Sequence, residues 1–472
     1  MEDQQEKTLN TLPGVLGGYA QRRPARFHAP GHKGGAVGGF FRDSATGWDL
    51  APTPAAEEAV QNAERIMSAA YGANASFFVT AGHAAALQTM LLSLGAGTPL
   101  LIVRDADAAA YAGCAFLGAD PAFLTPPYDA GTQLYGAVTA DMLDRRLRET
   151  QAGAALVTSP NRYGVCADLA ALADVAHAHD ALLLVDAARG AHFPFSDALP
   201  AAATRCADLA VCDESETLAA VTQAASVHRN DCRVRPEAVR RARAMLRPAG
   251  MSYPTAASLD WAVFLAPRQD WTAHVARMTA LRAALARING LAPYPLLPST
   301  LPDADDVLYD GTRLVLDVTA RGLDGFTAAA ALRDSGVYVA FADARRIVLV
   351  TTPEDDPAWE GRLTEALVRL PYVVPRTGTP VAAPCASAPA PRGEKGMPLP
   401  RAMTGPAAFV PLESAPGRIA ADAAGVWADG VALVAPGERW TAEAMAYLMD
   451  RESAGARLFG VDGGCTAVAE EA

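Results

Sequence analysis

The central part of this chain is short of one kind of reactive group and well supplied with another. Its three lysines are Lys7, Lys33 and Lys395, and none stands between Gly34 and Glu394. A side-chain amine able to condense with a carbonyl is therefore missing from the whole middle of the sequence. Carboxylates are present instead. Asp186 closes the apolar run Ala181-Leu182-Leu183-Leu184-Val185, and Asp213-Glu214-Ser215-Glu216 follows Leu209-Ala210-Val211. Carboxylates gathered in one pocket raise one another's pKa and can supply an acid/base pair. The turn Thr80-Ala81-Gly82-His83 leads into a helix, whose first amides suit an anion. No His/Cys/Asp/Glu spacing suggests a metal site, and no Ser-His-Asp arrangement is visible.

The elements that must carry these residues alternate. An amphipathic helix over about Ala55 to Tyr71 leads to the strand Ser76–Val79, a glycine turn and a second helix through Leu94. Strand-length apolar runs follow at Leu100–Val103, Ala155–Thr158, Leu182–Val185 and Leu209–Val211, with a helix over Asp168 to His179. This alternation predicts an α/β domain with a mostly parallel sheet covered on both faces. Ser258 to Ile288 reads as one long helix. Strand, helix, strand, strand, helix then follow at Arg313–Val318, Gly325–Arg333, Val337–Phe341, Arg346–Thr351 and Trp359–Leu370, a small α+β unit. Residues 372–400 are rich in Pro, Ala, Gly and Ser and read as an extended linker. The remainder suits a small third unit with a helix near Thr441 to Met449. The expected division is an arm over 1–53, a large domain over 54–288, a small domain over 289–371, the linker over 372–400 and a C-terminal domain over 401–472. There is no internal repeat.

A length of 472 residues suits two or three domains, and a hydrophobic fraction of 51% is ample for their cores. The net charge of −12 argues against nucleic acid or an anionic membrane as partner. Seven scattered cysteines form no disulfide framework and suit reduced thiols in the cytoplasm. The first residues, Met1-Glu2-Asp3-Gln4-Gln5-Glu6-Lys7, are charged and do not form a secretion signal. The longest apolar runs are far too short to span a bilayer. A soluble cytoplasmic protein is expected.

The segment Arg26-Phe27-His28-Ala29-Pro30-Gly31-His32-Lys33-Gly34-Gly35 closely resembles the N-terminal signature of the Orn/Lys/Arg decarboxylase family. The likeness continues through Tyr71-Gly72-Ala73, Thr158-Ser159-Pro160, Tyr163 to Leu169, Val185 to Phe193, Thr217-Leu218, Ser258-Leu259-Asp260 and, near the end, Gly417-Arg418-Ile419 and Pro436-Gly437-Glu438. It implies the fold-type I (aspartate-aminotransferase) architecture of pyridoxal-phosphate enzymes. It also implies assembly as a dimer with the site at the subunit interface.

What the resemblance implies for the site is degeneracy. The family's cofactor needs an amine for a Schiff base, a carboxylate for its ring nitrogen and donors for its phosphate. Asp186 matches the carboxylate. The family's Ser-Thr-His-Lys-Thr-Leu aligns with Asp213-Glu214-Ser215-Glu216-Thr217-Leu218, which places Glu216 on the lysine and Asp213 on a phosphate-holding serine. In the phosphate turn Thr80 and Gly82 remain, but the hydroxyl positions have become His83 and Ala84. Asp107 takes the place of the histidine that stacks on the ring, and Arg189 that of a motif histidine. A carboxylate about 4 Å from a phosphate is unfavourable by roughly 1–4 kcal/mol. Arg189 and Glu216 are expected to pair in the space the cofactor would take. Lys33 belongs to the glycine-rich arm and is a poor substitute for the missing amine. His28, His32 and His192 read as structural histidines, and Tyr163 as a core or rim residue.

Three functions compete. A non-catalytic family member with a binding, regulatory or oligomerising role needs no cofactor and would form a homodimer or pair with an active relative. An active decarboxylase of ornithine, lysine or arginine needs an amine that the sequence does not offer. A repurposed enzyme would use Asp107, Asp186, Asp213 and Glu216 for another reaction.

Overall fold

The structure is a computed structural model and describes residues 12, 14, 54–231, 233–246, 251–294, 308–356, 358–372 and 393–470. The arm's His28, His32 and Lys33, together with Lys7 and most of the expected linker, lie outside the described residues.

Seven strands form the central sheet: β1 (Ala75–Val79), β2 (Leu100–Val103), β3 (Ala122–Leu124), β4 (Ala154–Thr158), β5 (Leu182–Asp186), β6 (Leu209–Asp213) and β7 (Ala225–Arg229). Their spatial order is β1-β7-β6-β5-β4-β2-β3. The pairs from β6 through β5, β4 and β2 to β3 are parallel, whereas β7 lies antiparallel to both β6 and β1. The strands are short and apolar because both faces are covered. Leu183, Val185, Ala210 and Cys212 point into one core, lined by Val60, Met67 and Tyr71 of α1 (Pro54–Tyr71). Leu182, Leu184, Leu209 and Val211 point into the other, with Leu87 and Met90 of α2 (His83–Leu92) and Tyr111 and Cys114 of α3 (Ala108–Leu117).

The single helix expected over Ser258 to Ile288 is instead two, Tyr253–Leu265 and Trp271–Leu285, separated by the 3-10 turn Ala266–Arg268. Pro267 lacks an amide donor and interrupts the helical ladder. Asp270 then caps the second helix, accepting from the Ala273 amide at 2.8 Å.

The small domain is a four-stranded antiparallel sheet of β8 (Ala292–Tyr294), β9 (Arg313–Asp317), β10 (Phe341–Ala342) and β11 (Arg346–Val350), in the order β8-β9-β11-β10. The helices Gly325–Asp334 and Ala358–Arg369 cover it. The expected strand Val337–Phe341 contracts to the short β10, because Val337 and its neighbours leave the preceding helix as a loop before pairing begins.

The C-terminal unit is engaged from Gly393 onward: the amides of Gly396 and Met397 donate to the Gly437 carbonyl at 2.8 and 3.0 Å. The helix Leu399–Thr404 follows, so the end of the Pro-rich stretch is already folded. This unit docks on the large domain through a buried fork. Arg104, just beyond β2, bonds both carboxylate oxygens of Glu438, with one contact at 3.1 Å, and also the Ala432 carbonyl at 3.2 Å. Glu438 in turn accepts from the Ala435 amide at 2.8 Å.

Removing one partner of a buried pair strands the other charge at a cost of about 3–5 kcal/mol. Glu438→Ala is therefore expected to destabilise the protein by that amount in urea denaturation. The double variant Arg104→Met with Glu438→Leu should recover most of the loss, and a single-variant loss below about 1 kcal/mol would contradict a clamp of this kind.

Candidate functional site

Parallel strands deliver their carboxyl ends to one edge of a sheet, where open α/β folds build their sites. Here that edge carries Asp186 at the end of β5 and Asp213 at the end of β6. β1 opposes β7 and therefore runs with β6, so its turn Thr80-Ala81-Gly82 opens on the same edge. Gly82 enters α2 at φ 87°, a conformation that glycine adopts without strain, and its amide donates to the Gln223 carbonyl at 3.1 Å.

Asp186 is 1% exposed. Its Oδ1 accepts from the Ala188 amide at 3.1 Å and lies 2.9 Å from Nε2 of His83, the first residue of α2. Burial disfavours a charged imidazole, but Asp186 and the nearby Asp107 outweigh it and push the His83 pKa up to about 9. The same contact, against the opposing effect of burial, holds Asp186 below the usual carboxylate range. The pair is thus imidazolium and carboxylate near neutrality.

Glu216 lies in the short turn after β6. Its Oε1 is 2.7 Å from an Nη of Arg313 and 3.6 Å from Nε of Arg189. Arg189 comes from the 3-10 turn Ala188–Gly190 that follows β5, whereas Arg313 opens β9 of the small domain with its side chain only 2% exposed. Arg313 is itself fixed by Asp310 at 3.5 Å and by the Arg162 carbonyl at 3.4 Å. Burial opposes ionisation of Glu216, but Arg189 and Arg313 lower its pKa. The Arg189–Glu216 approach expected from the sequence is present, with Arg313 as the closer partner.

Several expected site residues have local work to do. Asp213 accepts from the amide and hydroxyl of Ser215 at 3.0 and 2.6 Å, and burial raises its pKa. Asp107 caps α3 by accepting from the Ala109 amide at 2.9 Å. Thr80 turns away from the group: its hydroxyl accepts from the Ser252 amide at 3.4 Å. His192 is fully buried, 3.3 Å from Asp310 Oδ1 and tilted against Trp271, and Tyr163 donates to Asp343 at 2.7 Å. Both hold the core together.

The carboxylates expected to share a pocket divide: Asp213 is raised by burial and by Glu216. Asp186 and Glu216 are both lowered, because each has a cation against it. Asp105, just beyond β2, rises to about 7 through burial and the nearby Asp186, and burial takes Glu214 to about 7 as well; the sequence did not single out Asp105. Arg162 was also missed; its guanidinium lies 4.3 Å over the Trp427 ring of the C-terminal unit, and burial lowers its pKa to about 10. The one signal for Arg313 was an arginine opening the otherwise apolar Leu314-Val315-Leu316.

Pyridoxal phosphate is the cofactor of the family that the motifs resemble, and the site fits one part of it. Asp186 Oδ2 is buried with no hydrogen-bond partner among the described residues, as suits an acceptor for a ring nitrogen. The rest does not fit. Glu216, which the motif aligns with the family's amine, is a carboxylate engaged by two arginines, and Asp213, which the motif aligns with a phosphate-holding serine, is an acid rather than a hydroxyl. Lys395, the lone lysine among the described residues, is occupied with Asp120 at 2.5 Å.

Comparison with known proteins places these features. Residues 12–358 match the family described as Orn/Lys/Arg decarboxylase, major domain, and residues 397–468 match the Orn/Lys/Arg decarboxylase, C-terminal domain. Arginine decarboxylase of Bacillus subtilis (strain 168) is 30% identical over 468 residues, covering 93% of this chain and 92% of the relative. Arginine decarboxylase of Bacillus anthracis is 26% identical over 467 residues, at the same coverage of 93% and 92%. Among solved structures, lysine decarboxylase A from Pseudomonas aeruginosa superposes with a TM-score of 0.82 at 18% identity, covering 99% of this chain and 81% of that one. The constitutive lysine decarboxylase of E. coli gives 0.81 at 17% identity, with 99% and 83% covered. These likenesses establish the fold-type I architecture. No described helix is long and apolar enough to cross a membrane.

The His83–Asp186 pair has a pH signature. The folded pKa of about 9 exceeds the ordinary value of 6.5, so its stabilisation is complete below pH 6.5 and is lost as pH rises to about 9. The stability advantage of the native protein over His83→Gln should shrink by about 2–3 kcal/mol between pH values of about 6 and 9.5, read by urea denaturation. A difference that does not change with pH would contradict the pair.

Proposed function

This chain belongs to the Orn/Lys/Arg decarboxylase family, and we propose that it is a non-catalytic member: a pseudoenzyme kept for binding, regulation or oligomer assembly. The observation that carries this reading is Glu216. It stands where the family's motif has the Schiff-base lysine, and its carboxylate is held by Arg313 at 2.7 Å. A carboxylate cannot condense with an aldehyde, and one held by two arginines cannot yield its place without breaking both contacts.

The altered residues support the same conclusion together. His83 gives the Asp186 carboxylate a resident cation, Asp213 sets a negative charge against phosphate, and Asp107 offers a cap in place of a stacking ring. Substitutions scattered at random over a working enzyme would spare such a set. The neutralised pairs also weigh against reuse of the pocket as an acid/base centre. What survives is the body of the fold, including the docked C-terminal unit, which suits a role in assembly. The reading includes association with itself or with an active relative, in a cytoplasmic setting.

The test uses purified protein with added pyridoxal phosphate. Amine release from arginine, lysine and ornithine is measured, followed by borohydride trapping and peptide mass mapping. The expected result is no release above the blank and no reduced adduct. Turnover of any of the three, or an adduct at Lys7, Lys33 or Lys395, would overturn the reading. Glu216→Lys is expected to remain inactive, because Arg189, Arg313 and Asp213 still occupy the site; restored turnover in this variant would show that the loss lies in one residue.

A further inference from the structure

Below the edge described above, on the face of the sheet covered by α1, three side chains from separate elements converge. Cys212 is near the end of β6, Glu214 is in the turn after it, and His228 is on β7. Their ligand atoms lie within 4.8 Å of one another, and the three residues are 2%, 0% and 0% exposed. Linear spacing could not reveal the group, because the antiparallel pairing of β6 and β7 sets Cys212 opposite Ser226 and Ala210 opposite His228.

We propose that Cys212, Glu214 and His228 bind a divalent transition metal of the zinc class. Thiolate, carboxylate and imidazole are the donors such an ion takes, at about 2.0–2.3 Å. A thiolate and a carboxylate neutralise a dication, so the loaded site carries no net charge into the interior. The ring of His228 is already oriented for the role. Ser76 Oγ lies 2.9 Å from Nδ1, which turns Nε2 toward Glu214, 4.0 Å from its Oε1. Tyr71 stacks on the imidazole at 4.4 Å and donates to Glu214 Oε1 at 3.2 Å. Ser226 Oγ, 2.7 Å from His228 Nε2 and bonded to Glu214, is placed to complete a four-coordinate set.

A second observation points the same way. Glu214 Oε2 is buried with no hydrogen-bond partner among the described residues, so the network of Ser76, His228, Ser226 and Tyr71 leaves one carboxylate oxygen uncommitted. A buried oxygen in that state is unfavourable unless something binds it. Binding a metal would displace the thiol proton to solvent and move the imidazole proton from Nε2 to Nδ1, where Ser76 Oγ can accept from it, leaving thiolate and neutral imidazole as ligands. With every donor buried, the ion would be structural, tying β6 and β7 together at the base of the cleft two residues before Glu216.

The experiment measures metal in the full-length protein by plasma emission after growth with zinc, then exchanges it for Co²⁺ and records the absorption spectrum. About one ion per chain is expected, with a thiolate-to-cobalt charge-transfer band. Cys212→Ser should lose that band, and Ser76→Ala should weaken Co²⁺ binding by about 10–100-fold while leaving the band in place at saturation. The native protein decides the matter even if a variant fails to fold. Metal well below stoichiometry together with no charge-transfer band on Co²⁺ addition would overturn the proposal, as would a band undiminished in a folded Cys212→Ser.

Discussion

Glu216 and its two arginines organise everything at the carboxyl edge of the central sheet. A carboxylate partly withdrawn from water needs charge and hydrogen bonds in return, and one left alone there would be destabilising. Arg189 comes from the turn after the neighbouring strand, and Arg313 reaches across from the small domain. The contact therefore fixes a side chain in the cleft and also ties two domains together through it. His83 and Asp186 repeat the solution one strand away, where an imidazolium answers a carboxylate. The outcome is a cleft in which Asp186 and Glu216 each have a resident cation. This differs in kind from a pocket whose charges are completed by a ligand.

That arrangement explains how the fold tolerates loss of its chemistry. The two cores flanking the sheet are built of apolar side chains from every layer, so the architecture does not depend on the altered charges. The C-terminal unit is held by its own buried fork, Arg104 with Glu438, well away from Glu216 in sequence. A site can lose its reactive group while the surrounding structure persists, provided each new charge finds a partner. Glu216 and His83 have found theirs.

The sequence made the architecture and the missing amine legible, and for good reason. Buried parallel strands are continuous apolar runs, and the absence of lysine from the 361 residues between Lys33 and Lys395 is visible by inspection. It did not reveal how the acids would be answered. Arg313 stands 97 residues from Glu216, and nothing in the local pattern of a small-domain strand points toward a turn in the large domain. Asp107 and Asp213 read as site residues, but each also satisfies backbone amides of its own turn, a role that short acidic side chains take wherever a helix begins. The break at Pro267 was hidden because the apolar periodicity continues on both sides of it. His228 and Cys212 drew no attention because ligand sets assembled across strands have no fixed spacing.

The claim on which this account rests is that Glu216 is bound within the cleft by Arg313. A double-mutant cycle over Glu216→Gln and Arg313→Met, read by urea denaturation, measures that coupling directly. A coupling of about 1.5–3 kcal/mol is predicted for a charge-assisted contact at this depth. Additive losses, with coupling below about 0.5 kcal/mol, would mean that the two side chains do not hold one another, and the cleft would not be closed in the way described.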